Sequence, residues 1–255
     1  MSARTIRLAV PAVLPVLAMF HAILTVPVVS AQKIADEPSH REALAHFRVG
    51  QELMSAEHFA QATEEFIKAI DLDPLLSLAH YQLGQASMNL QRYASAIKAY
   101  KDCIEAERQL FTLKQTNRFE VEKQKDDEIR ELKNLLDSGK GRAPTMMGLE
   151  QRLRDLENQR HQTGGTFQPP AQALVALGSA YFRNGDRDAA EAQWRAAIEA
   201  NPKLGEAHNN IAVIYMQTGR FEEALQELTL AEKAGFKVNP QFKADLKERA
   251  KTKTR

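Results

Sequence analysis

LGSAYFRNGDRDAAEAQWRAAIEANP occupies residues 177–202, and residues 211–236 echo it as IAVIYMQTGRFEEALQELTLAEKAGF. Leu177, Gly178, Tyr181, Ala190, Ala197 and Pro202 are followed 34 positions later by Ile211, Ala212, Tyr215, Ala224, Ala231 and Phe236. The same offset runs near the start of the chain, where Gly50 and Gly84, Ala62 and Ala96, Phe66 and Tyr100, and Ala69 and Cys103 are each 34 apart. A fixed period of this length marks a repeat architecture, in which one unit cannot bury its apolar face alone and stacks on the next. With only 12 Gly and 10 Pro in 255 residues, and Ala, Leu, Glu, Gln, Lys and Arg dominant, the units read as helical.

Helix packing explains the recurring residue types. A small residue at Gly50, Gly84, Gly178 and Ala212 lets the second helix of each pair approach the first, and Ala62, Ala96, Ala190 and Ala224 do the same from the other side. Phe66, Tyr100, Trp194 and Leu228 then fill the space between pairs. The pattern resembles the tetratricopeptide repeat, with a large residue, Leu-Gly, Tyr, and later Ala-x3-Phe and Pro. Residues 43–76 read His46, Val49-Gly50, Leu53, Ala62-x3-Phe66, Ala69 and Pro74; residues 171–204 read Leu174, Leu177-Gly178, Tyr181, Ala190-x3-Trp194, Ala197 and Pro202. Residues 77–110 depart with Ser87 at the Tyr site and Arg108 in place of Pro, and residues 205–238 bring Pro240 late. The resemblance implies an all-α solenoid of four helix-turn-helix units, spanning 43–110 and 171–238 and joined into one right-handed array.

Gly84 and Gly178 stand 94 apart, sixty more than one period, so residues 111–170 are an insertion. Arg108 removes the proline stop, and nothing through Leu136 replaces it, which predicts a single helix from about Tyr93 to Asp137, roughly 65 Å long. Ser138-Gly139-Lys140-Gly141-Arg142-Ala143-Pro144 breaks it, and Thr145 caps a returning helix. Met146, Leu149, Leu153 and Leu156 face Ile129, Leu132 and Leu136, the seam of an antiparallel coiled-coil hairpin that projects from the array. Thr163-Gly164-Gly165-Thr166-Phe167-Gln168-Pro169-Pro170 returns the chain as an extended strap. Twelve acidic and twelve basic residues interspersed between Ile104 and His161 read as a solvated surface rather than a phosphate-binding stripe. Residues 239–255 form a capping helix, opened by Asn239-Pro240, with a basic tail.

At the other end, Arg4 and Arg7 precede an uncharged run from Leu8 to Val29, and Val29-Ser30-Ala31 carries the small residues of an export cleavage site. Residues 1–31 therefore read as a signal peptide and 32–42 as a linker and helix start, so the protein is expected in the periplasm or outside the cell. An uncleaved membrane anchor is the alternative, and Pro11, Pro15 and Pro27 weigh against it. Cys103 is the only cysteine, which excludes an internal disulfide and leaves stability to packing.

Chemistry has no candidate in this sequence. Net charge of +1 argues against nucleic acid as a partner. His46, His80 and His208 share one repeat position, but equivalent residues of stacked units lie too far apart to share an ion. Cys103 replaces a small core Ala and reads as buried and inert, and Gly139-Lys140-Gly141 is a turn without a preceding strand. No catalytic, cofactor or metal residue is assigned, and the protein is not expected to be an enzyme. The resemblance implies instead a concave groove lined by Leu44, Phe47, Gln51, Met54, Leu78, Tyr81, Gln85 and Met88, then by Gln172, Val175, Ser179, Phe182, Glu206, Asn209, Val213 and Met216. Its apolar and amide character suits an amphipathic helix or extended apolar segment of a protein partner, with Phe47, Tyr81, Phe182 and Met216 as anchors. The Lys and Asn pairs of a carboxylate clamp are missing. Occupation of the groove by Phe167-Gln168-Pro169-Pro170 or by the insert itself is a further reading. An exported adaptor is the function expected, with a structural oligomer built through the hairpin, or a membrane-anchored assembly factor of the cell envelope, as alternatives.

Overall fold

Asp36 accepts a hydrogen bond from the Ser39 amide at 2.9 Å and starts the first helix, with Pro38 in its first turn, where a missing N–H costs nothing. From there the computed structural model describes residues 34–116, 118–139, 143–160 and 166–253, within the compact unit Gln32–Arg255. The signal-peptide reading of residues 1–31 and the Thr163-Gly164-Gly165 part of the strap lie outside the described residues. Among those described there are eleven helices and no strand.

Unit one is α1 (Glu37–Ser55) with α2 (Phe59–Leu72), and unit two is α3 (Ser77–Asn89) with α4 (Tyr93–Thr116). The insert supplies α5 (Arg118–Asp137) and α6 (Ala143–Arg160). Unit three is α7 (Ala171–Asn184) with α8 (Arg187–Ala200), unit four α9 (Gly205–Gln217) with α10 (Phe221–Lys233), and α11 (Pro240–Lys253) closes the array. Leu246 of α11 is fully buried in the unit-four core, and Asn239 caps the helix by accepting from the Gln241 amide at 2.9 Å.

The close approach demanded by the repeat pattern is visible at Gly178. A Cβ there would sit 2.5 Å from Nε1 of Trp194, and Cβ atoms at Gly50 and Gly84 would overlap the rings of Phe66 and Tyr100. Trp194 satisfies its buried N–H on the Val175 carbonyl at 3.0 Å. The turn inside each unit needs a left-handed residue at one repeated position. Gly185 and Gly219 supply it at no steric cost, whereas Glu57 and Gln91 adopt φ of 62° and 57° with side chains attached.

Units two and three stack directly across the insertion. Tyr81, Ala96, Tyr100 and Cys103 share one buried cluster with Ala173, Leu177 and Ala180, so the apolar face left open at the end of unit two is covered by unit three. The insert therefore leaves the array and re-enters it without breaking the stack.

The path of the insert differs from the sequence expectation. Instead of one helix over 93–137, α4 ends at Thr116 and α5 begins at Arg118. Lys125 Nζ lies 3.0 Å from Glu107 Oε2, where a straight helix would hold residues 107 and 125 about 27 Å apart. The chain doubles back, because Leu110 and Val121 then bury together with Leu75 and Ala106 instead of facing water along a bare stalk. A second reversal places α6 beside α5, with Lys133 Nζ 2.8 Å from Glu157 Oε1. Helix α6 starts at Ala143, two residues ahead of the expected cap Thr145. The described part of the strap, 166–170, has no regular structure, and its Phe167 ring lies 5.9 Å from that of Phe111.

Candidate functional site

The concave wall of an array of helical pairs is built from first helices, here α1, α3, α7 and α9. Its two halves differ. In units one and two Leu44, Phe47, Gln51, Met54, Leu78 and Tyr81 are buried. Leu44, Phe47, Met54 and Leu78 belong to the same apolar cluster as Ile129 and Leu132 of α5 and Leu149 and Leu156 of α6. The hairpin does not project from the array; it lies against this wall and covers it. Gly148 of α6 places its Cα hydrogens toward Gln85 and Tyr81 of α3, where an added Cβ would be 3.6 Å from Gln85 Nε2. Phe47 is 0% exposed and packs 5.9 Å from the Phe66 ring, so it braces its own unit and is not accessible as an anchor, whereas Tyr81, buried 5.6 Å from the Tyr100 ring, still borders open space. Phe182 likewise stacks 5.8 Å from Trp194.

An ionic cluster is buried where the hairpin meets unit two. The Glu107 carboxylate of α4 accepts from Ser77 of α3, from Lys125 of α5 at 3.0 Å, and from Arg152 of α6, which also donates to Ser77 at 2.5 Å. Burial alone would push the Glu107 carboxyl up, but the Arg152 and Lys125 charges and the Ser77 hydroxyl together hold it down at about 2. Glu128 of α5 fares differently: burial dominates and raises its pKa, and its Oε2 has no hydrogen-bond partner among the described residues. His40 of α1 lies 2.5 Å through Nδ1 from Asp73; burial opposes its charge, yet the hydrogen bond to Asp73 and the nearby Glu128 and Asp127 carboxylates raise its pKa. Glu107, Lys125, Glu128, Glu131 and Arg152 are all buried, which corrects the reading of this stretch as wholly solvated. One signal for it was present, because Arg152 stands three residues after Leu149 and four before Leu156, on the apolar face.

The second half of the wall is open. A cavity of about 780 Å³ lies between α6, α3 and the first helices of units three and four. Gln151 and Arg154 of α6 line one side, Tyr81, Gln85 and Met88 the floor, and Gln172, Val175, Ser179, Glu206 and Asn210 the other side. Burial pushes the Tyr81 phenol up, so it stays neutral, and raises Glu206 against a hydrogen bond from Gln172. The lining offers amide donors and acceptors over an apolar floor, the chemistry that holds an extended backbone. Of the remaining expected groove residues, Phe182, Asn209, Val213 and Met216 are half-buried and do not line this cavity.

The three equivalent histidines each bond within or beside their own unit. His46 lies 2.7 Å from Glu65, His208 2.7 Å from Glu227, and His80 2.9 Å from the Pro74 carbonyl. Among the described residues no group of three His, Cys, Asp or Glu side chains is placed to hold a metal ion. Burial pushes the Cys103 thiol up to about 12, which keeps it protonated. No described helix is long and apolar enough to cross a membrane.

With this geometry in place, the family described as Tetratricopeptide repeat matches residues 47–108 and 175–235. No protein with a curated description matches the chain. Among solved structures, PilW, a type IV pilus biogenesis factor, is 15% identical over 85% of this chain and 89% of its own, with a TM-score of 0.39. Pseudomonas aeruginosa pilF is 16% identical over 84% and 88%, with a TM-score of 0.34. YrrB, a repeat protein with an unusual peptide-binding site, is 18% identical over 81% and 92%, with a TM-score of 0.29. At these values none of the three bears on what this chain binds.

Proposed function

We propose, for a chain that is a tetratricopeptide repeat protein over residues 47–108 and 175–235, that it is an exported, non-catalytic adaptor holding a protein partner in the open half of its groove. The fold is that of a protein-interaction scaffold, and the observation that carries the finer reading is the cavity of about 780 Å³ walled by Gln151 and Arg154 on one side and by Gln172, Ser179 and Asn210 on the other. A partner's extended segment laid there finds amides for its backbone, and Met88 and Val175 for its side chains. The charged and uncharged runs of residues 1–31 support export, to the periplasm or beyond.

A photo-crosslinker at Ser179 or Asn210 tests this. Either position should trap one protein in the native envelope, while the same group at the exposed Ile67 should not. The trapped band should fade when Ser179→Arg fills the cavity. The same band from all three positions would reject the groove, and a precursor that retains residues 1–31 in the cytoplasm would reject export.

A further inference from the structure

The covered half of the wall carries information of its own. Helix α6 presents Leu149, Arg152 and Leu156 on one face, all buried, and delivers the Arg152 guanidinium to the Glu107 carboxylate of α4, beside Ser77 at the start of α3. That carboxylate has only one partner from the repeats themselves, Ser77; its two cations, Lys125 and Arg152, both come from the insert. Remove the hairpin and Glu107 loses both cations, so any partner that covers this wall in its place buries the carboxylate again and must bring a cation to it.

The seat is also imperfect. Arg152 Nε and Nη1, Glu128 Oε2, Gln51 Nε2 and His40 Nε2 are buried without hydrogen-bond partners among the described residues, and all lie on the insert or on the wall it covers. Each such group weakens the seated state relative to one that satisfies it. The stack does not depend on the seat, since unit two meets unit three directly through Tyr100, Cys103, Ala173 and Leu177.

We propose that the concave face of units one and two is a second, latent binding site, that α6 occupies it as an internal stand-in, and that the partner displacing it is an amphipathic helix carrying an arginine three residues after one leucine and four before another. The arginine answers Glu107 and Ser77, and the leucines enter the apolar cluster that holds Leu44, Phe47 and Leu78. Helix α6 borders both sites, but Glu107, Ser77, Leu44, Phe47 and Leu78 do not line the open cavity, so peptide binding to them is read separately from the Ser179 crosslinks.

The probe is a labelled peptide of residues 146–157, used with the full chain and with its Arg152→Gln variant. The peptide should bind the variant at least tenfold more tightly than the unaltered chain, and a peptide carrying Arg152→Gln should bind that variant at least tenfold more weakly. Equal binding of the two peptides, or no binding, overturns the proposal. An Arg152→Gln chain that dimerises instead of taking up peptide overturns it in favour of a hairpin exchanged between copies. Should the variant lose its helical signal, native-state hydrogen exchange of the unaltered chain decides: amides of 149–156 should exchange at least tenfold faster than those of 174–180, and equal rates overturn the proposal.

Discussion

Arg152 of the insert meets Glu107 of the repeat array across 45 positions of sequence, with both side chains almost wholly out of water. Breaking a buried pair from one side leaves the other charge unpaired and costs about 3–5 kcal/mol, whereas replacing both with apolar residues of similar volume is often neutral or better. We expect Arg152→Met and Glu107→Leu each to lower stability by about that amount and the double variant to lose less than their sum, recovering only in part because Lys125 is left without its carboxylate. Urea unfolding of the four chains gives the coupling directly; additive losses would show that the two residues act separately.

The same interface sets the dependence on pH. Glu107, held at about 2 against an unfolded value of 4.5, contributes stability that is full above its unfolded value and lost as pH falls toward about 2. Glu128, Glu131 and Asp155 have the opposite sign, because burial raises them, so their penalty is relieved as pH falls toward their unfolded values. His40, also raised, adds stability below its unfolded value of 6.5 that disappears as pH climbs past its folded value. The contribution of this interface to the urea midpoint should therefore rise from about pH 8 to about pH 5 and fall below that, against the opposite slope of His80, whose pKa burial lowers. Glu128→Gln should gain about 1 kcal/mol or more at pH 8 and flatten the alkaline limb. An alkaline limb that is the same with and without Glu128→Gln would contradict this assignment.

The repeats were legible because their constraint is local and recurs: Gly178 against Trp194 is the same contact as Gly84 against Tyr100, so one spacing reports it several times. The same arithmetic gives the expectation of an insert at 111–170. Its course did not follow, because a helical stripe states which residues share a face and says nothing about what lies opposite. Ile129, Leu132, Leu149 and Leu156 serve the contact between α5 and α6 and the contact with unit one at once. No glycine or proline between α4 and α5 announces that the two helices lie side by side; the distant burial of Leu110 and Val121 drives it. The groove was readable as a set of positions, but which of its halves is open depends on that packing.

Glu57 and Gln91 occupy the left-handed position that Gly185 and Gly219 fill in the later units. A side chain in that region costs about 1–2 kcal/mol, partly offset by the greater entropy glycine loses on folding. Glu57→Gly and Gln91→Gly should each raise stability by roughly 0.5–1 kcal/mol, and Gly185→Ala should lower it by a similar amount. Thermal melts of the three variants check this, and a loss of stability in both glycine variants would show that the turns are not strained.

Cys103 lies at the junction of units two and three, fully buried, with its thiol pushed up to about 12. A maleimide therefore reaches it only when that junction opens. If the stack holds independently of the insert, Arg152→Gln should free α6 without exposing Cys103, and labelling should quicken no more than the loss of global stability requires. Measured under conditions where opening is at equilibrium, the labelling free energy should track the urea value in both chains. A thiol that labels at least tenfold faster in the variant than its global stability allows would mean that the hairpin props the two halves of the array together, and that lifting it opens the solenoid as well as the groove.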